Sequence, residues 1–557
     1  AASSAGEVGA VTIMRFELGN PDAWVRRELG TGTIYIRPQP AEPELQSLET
    51  AGPEAVEQSL SSGRWSKNTV ALCVADRLLF HADILNMAPL YYMAGGQKCS
   101  DTIDAGAGRA LDELAMKQYF LAGYVTGSRT LFSDIRKSQA GEILWFGSDG
   151  VGTSKSFEYR YPPTLRAVAQ RNAPDEAKRF GDLLDKAILR AVDSLQPGRQ
   201  IVVPLSGGHD SRLLVSRLAA LGIENVLCFS YGRADNEQSL ISRRVAEALG
   251  YPWHFVEYTE EKWRALHEAD VVEAYARFAF RGSSIPHLQD FLAIHELRHA
   301  GVISRGDLCM PGHTLDFLSG GHVGKADFEC DDAESAVNRV LQRHFPGATD
   351  DEIGEPELLV RIQALFQDFD GPPSQFQEWF NWRERQTKFI VNSCATYEFH
   401  GLQVALPFWD IDVVRYWLSV PPEIKAGRQF YFEMERHLLD PRLRDIPFAG
   451  EFKSKRSLSQ RAQLALRKRM STGLASRLVS LSRLRRQQNE GLNLAFAGLG
   501  EDVRSAVPHL AAHSIAEWPP IRDILCRRPY QLNGHRMAAL YTLNLLLAQQ
   551  SAGAAAS

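Results

Sequence analysis

A short stretch of the chain, residues 201–218, combines residue types that bind phosphate. It reads IVVPLSGGHDSRLLVSRL. The apolar run at its start predicts a buried strand, and the leucines at helical spacing after it predict a helix, so the polar residues form a tight turn between them. The first amides of such a helix are unpaired, and the helix dipole favours an anion there. Gly207, Gly208 and the hydroxyls of Ser206 and Ser211 therefore predict a phosphate-binding loop.

The features that this loop lacks narrow down its ligand. No Lys-Ser or Lys-Thr pair follows the glycines, as it would in a loop that grips a transferring terminal phosphate. The pattern is not G-x-G-x-x-G either, which disfavours a dinucleotide. Asp210 places a carboxylate beside the phosphate amides, and such a placement calls for a divalent cation between the carboxylate and the phosphate oxygens. The alternative is a glycine-rich turn that only caps an ordinary helix.

The SGGHDS sequence resembles the pyrophosphate loop of ATP pyrophosphatases, enzymes that split ATP between its α and β phosphates. Within them the chain resembles the asparagine synthetase family, which includes β-lactam synthetases and lasso-peptide cyclases. Three further stretches carry the resemblance in the family's order: VLCFSYG at 226–232, PGHTLDFLSGGH at 311–322 and VALPFWDIDVVRYWLSVPPEIK at 404–425. The likeness spans most of residues 180–460. It implies an AMP-forming carbon–nitrogen ligase with ATP and Mg²⁺ as cofactors.

The resemblance also implies a role for particular residues. The implied ATP site comprises Leu205, Ser206, Gly207, Gly208, Asp210, Ser211, Ser230, Tyr231 and Gly312. Asp210 and Asp316 are implied to share the Mg²⁺ ion and to be catalytic. In the reaction that follows, a substrate carboxylate attacks the α phosphorus and gives an acyl-adenylate and pyrophosphate. An amine then attacks the acyl carbon, forms an amide and releases AMP.

Two segments need comment. One departs from the family's pattern, and the other offers two candidates for a single family residue. The family assigns proton transfer to a Glu in its second acidic segment, whereas His313 and Phe317 occupy those positions here. An imidazole can act as a base near neutral pH, so His313 is a candidate base, and the alternative is a structural histidine. Lys453 and Lys455 stand where the family carries a lysine that faces the adenylate charge, and we favour Lys453. The alternative is a solvated basic loop.

The sequence around the loop also suggests a substrate. LSGGxDSR, followed by RRVAEALGYPWHFVEYTEEKW, is similar to synthetase-like amidotransferases of bacterial surface polysaccharide (O-antigen) biosynthesis. That likeness implies that ammonia is added to the C6 carboxylate of a uronic acid, on a small-molecule or lipid-linked sugar. Gln403 and Ala405 replace the Glu and Arg that accompany asparagine synthesis in the family. A macrolactam synthetase of the lasso-peptide or β-lactam type and a non-catalytic ATP-binding subunit stay open as alternatives.

Residues 14–160 are predicted to form a separate domain. The short runs GTIYIRP, TVALCVA, RLLFHAD and GEILWFG are typical of an antiparallel β-rich or α+β layer. The stretch at 76–93 resembles the core of the family's N-terminal glutaminase, an Ntn-type domain whose nucleophile is an N-terminal cysteine. Neither Ala1 nor Arg15 offers a thiol, and Cys73 lies on an apolar strand. We therefore expect a degenerate domain, with nitrogen from free ammonia or a partner glutaminase.

The rest of the chain, residues 178–557, is predicted to form the synthetase domain. Strands and helices alternate from Arg179 onward, which is typical of a parallel sheet with helices on both faces, and the pattern becomes mainly helical beyond about residue 325. The predicted fold class is thus α/β: a degenerate glutaminase-like α+β domain followed by a parallel-sheet ATP pyrophosphatase domain with a helical C-terminal part. The polar, proline-containing stretch 161–176 is the predicted linker.

Composition limits the partners. A formal net charge of −5 argues against a dedicated nucleic-acid binder, and seven scattered cysteines without a C-x-x-C pair argue against a zinc site and fit the cytoplasm. The stretch 461–486 has eight basic residues and no acid, with leucines at helical spacing. It is a candidate for peripheral contact with the inner face of a membrane, and the alternative is a basic helix packed on its own domain.

Overall fold

A computed structural model describes residues 15–450 and 534–554 of the 557-residue chain, except for residues 30, 38–45, 47–52, 61–64, 76, 95–97, 104–108, 148–149, 163–171 and 346–355. The fold class is α/β, as the sequence predicts. An N-terminal part built on two β-sheets is followed by a five-stranded parallel sheet and then by helices. The described residues contain no helix that is long and apolar enough to cross a membrane.

The described residues of the N-terminal part form ten strands. They are β1 (Arg15–Glu17), β2 (Val25–Leu29), β3 (Gly32–Arg37), β4 (Thr69–Val74), β5 (Arg77–His81), β6 (Tyr91–Met93), β7 (Lys98–Ser100), β8 (Ile135–Lys137), β9 (Glu142–Gly147) and β10 (Gly150–Lys155). Helical residues at 53–60 (α1) and the helix α2 (Glu113–Ala122) accompany them. The sheet orders are β10-β9-β5-β4-β3-β2, antiparallel throughout, and β1-β7-β6-β8.

The six-stranded sheet is apolar on both faces. Ile34 and Ile36 on β3 pack with Val56 and Leu60 of α1 on one face. The other face packs toward the four-stranded sheet, where Cys99 contributes to the same apolar cluster. Burial on both faces explains why β4 reads as a continuous apolar run instead of alternating. The structure therefore bears out the predicted antiparallel layer, while the likeness to a glutaminase stays a prediction.

The parallel sheet positions the phosphate loop. Its strands are β11 (Ile201–Pro204), β12 (Val226–Gly232), β13 (Trp253–Glu257), β14 (Leu308–Cys309) and β15 (Gln403–Val404), in the order β13-β12-β11-β14-β15. The chain extends the sheet from β11 to one side through β12 and β13, and later to the other side through β14. In open parallel sheets, ligands bind outside the carboxyl ends of the strands where the strand order reverses in this way. The loop after β11 lies at that position.

Helices cover the parallel sheet and form the rest of the chain. They are α3 (Ala173–Val192), α4 (His209–Ala220), α5 (Glu237–Leu249), α6 (Glu260–Glu268), α7 (Val271–Ala279), α8 (Phe291–His299), α9 (Leu315–Leu318), α10 (Lys325–Phe328), α11 (Ala333–His344), α12 (Pro356–Gln367), α13 (Pro373–Phe380), α14 (Ala395–Phe399), α15 (Ile411–Leu418), α16 (Pro422–Lys425), α17 (Gln429–Leu438) and α18 (Gly534–Ala554). A π-helix covers Asn381–Ile390. Helix α3 begins inside the predicted linker, because the Asn172 side chain accepts a hydrogen bond from the Asp175 amide and caps its first turn.

A buried ion pair ties the N-terminal part to the π-helix. Lys388 donates to the carbonyls of Val125 and Gly127 at 3.0 and 2.6 Å and pairs with Glu384. Glu384 also accepts from the Gly127 amide at 2.9 Å. The Lys388 and Glu384 side chains are only 4% and 0% exposed. Burial lowers the pKa of Lys388, and the charge of Glu384 opposes that effect. Each charge therefore depends on the other for its stability in this environment.

We predict that Lys388→Ala destabilises the protein by roughly 3–5 kcal/mol, because it leaves the Glu384 carboxylate buried without a cation. The measurement is the thermal unfolding temperature together with denaturant unfolding. Lys325→Ala is the matched control, since the Lys325–Glu329 pair is 91% and 65% exposed and contributes little. Equal unfolding temperatures for the two variants would contradict the role assigned to the buried pair.

Candidate active site

The loop between β11 and α4 forms a compact turn stabilised by its two serines. The Ser206 and Ser211 hydroxyls lie 3.0 Å apart, and Ser211 also accepts from the Ser206 amide at 3.1 Å. The Gly208 amide donates to the Ser206 hydroxyl at 3.1 Å. Gly208 is the N-cap residue of α4, and no side chain caps this helix end. The first amides of α4 are thus left for an anion, as the sequence predicts for a phosphate loop.

Close packing explains why Gly207 of the loop and Gly312 after β14 are both glycines. A side chain at Gly207 would begin 3.1 Å from the Ala449 methyl group. A side chain at Gly312 would begin 2.7 Å from the Ser211 amide nitrogen, so the segment after β14 crosses directly over the first turn of α4. This approach brings the two acidic segments of the sequence together. Leu205 is buried beneath the loop, with its amide bonded to the Phe229 carbonyl at 2.9 Å.

Asp210 and Asp316 lie next to each other. The Asp316 amide donates to Asp210 Oδ2 at 2.8 Å, and Arg428 Nη2 lies 2.5 Å from Asp210 Oδ1. Burial raises the pKa of Asp210 to about 6, and the Arg428 charge opposes that effect. Burial acts in the same direction on Asp316, but a hydrogen bond and the charge of His322 outweigh it and hold the pKa of Asp316 at about 2. Both carboxylates are therefore ionised at neutral pH.

This pair suits a hard divalent cation. Two carboxylates from adjacent segments supply oxygen ligands, which Mg²⁺ prefers, and Mg²⁺ takes its remaining ligands from phosphate oxygens and water. Within the described part of the chain, no group of three or more His, Cys, Asp or Glu side chains could hold a metal by itself. Asp210 and Asp316 therefore fit the metal-binding role predicted from the sequence only together with a bound phosphate.

His313 lies half-buried three residues before Asp316. Its Nδ1 atom is 3.9 Å from the Cys394 sulfur. Burial lowers its pKa, and the charges of Asp290 and Asp316 oppose that effect. A neutral imidazole at this position can accept a proton, which is compatible with the predicted role as a base. The neighbouring candidate position is different: Phe317 is fully buried in the core.

The predicted nucleoside-binding residues follow β12. Ser230 is buried, and the Tyr231 ring stacks on Tyr258 at 5.1 Å. The Tyr231 hydroxyl donates to Asp290, whose other oxygen accepts from Tyr397. That hydroxyl already donates to Asp290. Tyr231 can therefore contact a nucleotide only through its backbone or the edge of its ring. Lys453 and Lys455, and the basic stretch 461–486, lie outside the described residues.

The structure adds residues that the sequence did not indicate. Arg428 pairs with Asp210 across 218 positions of sequence, and it adopts a positive φ of 64° after Gly427. Gln238 accepts from the Gly207 amide at 2.7 Å. Asn381 of the π-helix lies 2.9 Å from His322, the partner of Asp316. A basic residue beside a glycine is the only sequence signal for Arg428, and it is too common to single that residue out.

Comparisons with known proteins find one family model and several solved structures. Residues 179–302, which include the loop and Asp210, match the family model of asparagine synthase. Among solved structures, the NMN synthetase from Francisella tularensis is 12% identical with a TM-score of 0.20, covering 38% of this chain and 93% of that one. The glutamine-dependent NAD(+) synthetase from Cytophaga hutchinsonii is 12% identical with a TM-score of 0.19, covering 61% and 70%. These two similarities are too weak to support a conclusion about this protein.

No curated protein matches the sequence significantly. The family match is therefore the comparison that bears on activity, and it covers the segment in which the phosphate loop, its helix and the first carboxylate lie. Residues 179–302 are thus similar to asparagine synthase, and this match indicates an ATP-dependent ligase that forms carbon–nitrogen bonds.

Proposed function

We propose that the protein adenylates the C6 carboxylate of a uronic acid sugar and transfers ammonia to it, releasing AMP and pyrophosphate. The observation that carries the proposal is the contact between Asp210 and Asp316 at the uncapped end of α4. A protein that only bound ATP would not need two ionised carboxylates buried beside its phosphate loop, because without a cation they repel the phosphates.

The residues of the loop would bind the departing pyrophosphate. The first amides of α4 and the hydroxyls of Ser206 and Ser211 would face the β and γ phosphates. Asp210 and Asp316 would hold Mg²⁺, which supplies charge stabilisation when it is bound. Arg428 fixes the orientation of Asp210 through its 2.5 Å contact. A substrate carboxylate oxygen then attacks the α phosphorus as the bond to the bridging oxygen breaks.

The second step needs a base. Nitrogen attacks the acyl carbon, the bond to AMP breaks, and one proton of the attacking ammonia must be accepted. His313 supports this role, because it is neutral at neutral pH and lies three residues from Asp316. The buried thiol of Cys394 lies 3.9 Å from His313. Burial raises the pKa of this thiol, so it stays protonated and cannot accept the proton in place of His313.

The chain that leads to Lys453 is anchored on the phosphate loop. The Ala449 amide donates to the Gly207 carbonyl at 2.9 Å, and the Gly450 amide donates to Glu237 at 3.0 Å. Just before them, the buried guanidinium of Arg212 donates to the carbonyls of residues 446 and 447, both at 2.7 Å. Lys453 follows Gly450 by three residues, which span at most about 11 Å. This reach supports a lysine that faces the adenylate.

The N-terminal part offers no activated thiol for glutamine hydrolysis. The sequence before residue 160 has two cysteines, Cys73 and Cys99. Burial raises the pKa of Cys73 to about 11 and the pKa of Cys99 to about 12. Since the thiolate is the nucleophile, both groups are inert at neutral pH. We therefore propose that ammonia reaches the synthetase site from solution or from a partner glutaminase, and that 14–160 is a scaffold.

The first test of the proposed function measures pyrophosphate release and amide formation from ATP and glucuronic acid. We expect both products with ammonium and neither with glutamine alone, because Cys73 and Cys99 stay protonated. Glutamate formed from glutamine by the purified protein would contradict the scaffold role. Amide formation on a peptide with an Asp or Glu side chain, but on no uronic acid, would instead identify a macrolactam-type synthetase. No turnover of ATP with any acceptor would identify a non-catalytic subunit.

The second test is Asp210→Asn. We expect pyrophosphate release to fall at least about 100-fold, since the departing pyrophosphate loses a carboxylate that neutralises its charge through the cation. Asp182→Asn is the control, because Asp182 is exposed on α3 away from the loop. Circular dichroism and the unfolding temperature of Asp210→Asn check that the variant is folded in the assay, because it keeps the acceptor for the Asp316 amide but leaves Arg428 without its partner carboxylate. Wild-type pyrophosphate release by this variant would show that the loop has another role.

The third test compares Lys453→Ala with Lys455→Ala. We expect Lys453→Ala to lower kcat for pyrophosphate release by about 100-fold with little change in the KM for ATP, because the lysine acts on charge that develops in the transition state. The two positions are two residues apart, so each variant is the matched control for the other. A larger loss of kcat in Lys455→Ala would assign the adenylate-facing role to Lys455. Wild-type kcat in both variants would show that neither lysine has this role.

A further inference from the structure

The π-helix connects the carboxylate site to a second group of polar residues. Asn381 lies 2.9 Å from His322, which lies 3.1 Å from Asp316. Gln386, further along the same helix, accepts from the Thr314 hydroxyl at 3.4 Å. Side chains four and five positions apart share a face in a helix of this type, so Arg385 lies on the same face as these two contacts.

Arg385 has no counter-charge within the described part of the chain. It is half-buried, and the contact that it makes there is a cation–π approach to the Phe389 ring at 5.8 Å. Nearby cations are paired: Lys388 with Glu384, and Arg343 with Asp327 at 3.6 Å. A half-buried guanidinium that faces no carboxylate is costly unless a ligand supplies the negative charge.

Two histidines pack against the same Phe389 ring as Arg385. The rings of His287 and His535 pack against Phe389 at 4.5 and 5.2 Å and lie 6.0 Å from each other. His287 Nε2 is buried and has no hydrogen-bond partner among the described residues. Burial lowers the pKa of His287 to about 3, and burial and Arg385 lower the pKa of His535. Both rings are therefore neutral, and each can donate to an oxyanion or accept from a ligand hydroxyl, depending on the tautomer.

We propose that Arg385, with His287 and His535, binds a second oxyanion of the acceptor, a phosphate or a second carboxylate, while the first carboxylate reacts beside Asp316. This inference rests on the proposed function for the identity of the acceptor. It narrows the substrate class to carboxylates that carry a further anionic group on the same molecule.

The π-helix carries a residue of each site. Asn381, which contacts the partner of Asp316, and Arg385 are four residues apart on the π-helix, about 6 Å between their Cβ atoms. A planar guanidinium can hold a phosphate or a carboxylate through two parallel hydrogen bonds. We infer that the second anionic group of the acceptor lies on the far side of the sugar ring from the reacting carboxylate.

The kinetic test compares three acceptors: glucuronic acid, glucuronic acid 1-phosphate and glucaric acid. We expect a lower KM for at least one of the last two in the wild-type protein. Arg385→Gln should raise that KM about 10- to 100-fold without changing the KM for ATP, and Arg385→Lys should recover part of the loss. A lower KM for glucuronic acid 1-phosphate alone would identify a phosphate site, and a lower KM for glucaric acid alone would identify a carboxylate site. Equal KM values for all three acceptors would overturn the proposal.

A binding test separates this inference from the proposed function. The protein is saturated with an ATP analogue that has a methylene group between the α and β phosphorus atoms, and inorganic phosphate is titrated by calorimetry. We expect binding that Arg385→Gln weakens about 10-fold or more, whereas the exposed-residue control Arg415→Gln keeps it. If uronic acids are not substrates, this result still holds. No phosphate binding, or binding unchanged by Arg385→Gln at an unchanged unfolding temperature, refutes the second site.

Discussion

The structure of the site depends on one hydrogen bond, from the Asp316 amide to the Asp210 carboxylate. It joins the segment after β14 to the first turn of α4, which are separated by 106 positions of sequence. Two carboxylates in contact repel each other, so their proximity requires compensation from the surroundings. Arg428 compensates the charge of Asp210, and His322 lies 3.1 Å from Asp316. Each of these two residues is held by further contacts of its own. The crevice is thus charged before any ligand arrives.

The sequence predicted the parts of this site that local physics determines. The phosphate loop follows from an apolar strand, two glycines and an amphipathic helix, which are neighbours in the chain. Asp316 was found by resemblance, because it lies in a stretch that matches the family's order of segments. Arg428 and the residues of the π-helix were missed. Their positions depend on tertiary packing between segments far apart in the chain, and no periodicity or spacing encodes such contacts.

The contacts between the N-terminal part and the rest of the chain include a buried polar network. Glu378 accepts from Lys425 at 2.9 Å and from the hydroxyls of Tyr159 and Tyr161, all of them buried. Together with the Lys388–Glu384 pair, this network joins the end of the N-terminal part to the helices between β14 and β15 and to α16. Buried networks of this kind fix one relative arrangement, because any sliding leaves charged groups without partners. These buried contacts give the N-terminal part a structural role that requires no chemistry of its own.

The anchor that Arg212 provides for residues 446–447 has a consequence for tolerated variation. Its two hydrogen bonds go to backbone carbonyls, and its guanidinium lies 3.9 Å from the centre of the Phe448 ring. Backbone carbonyls are present whatever the side chain, so substitutions at 446 and 447 keep the anchor as long as the local volume is preserved. Substitutions at Arg212 do not. In a set of related sequences, we therefore expect variation at positions 446 and 447, whereas Arg212 should stay constant.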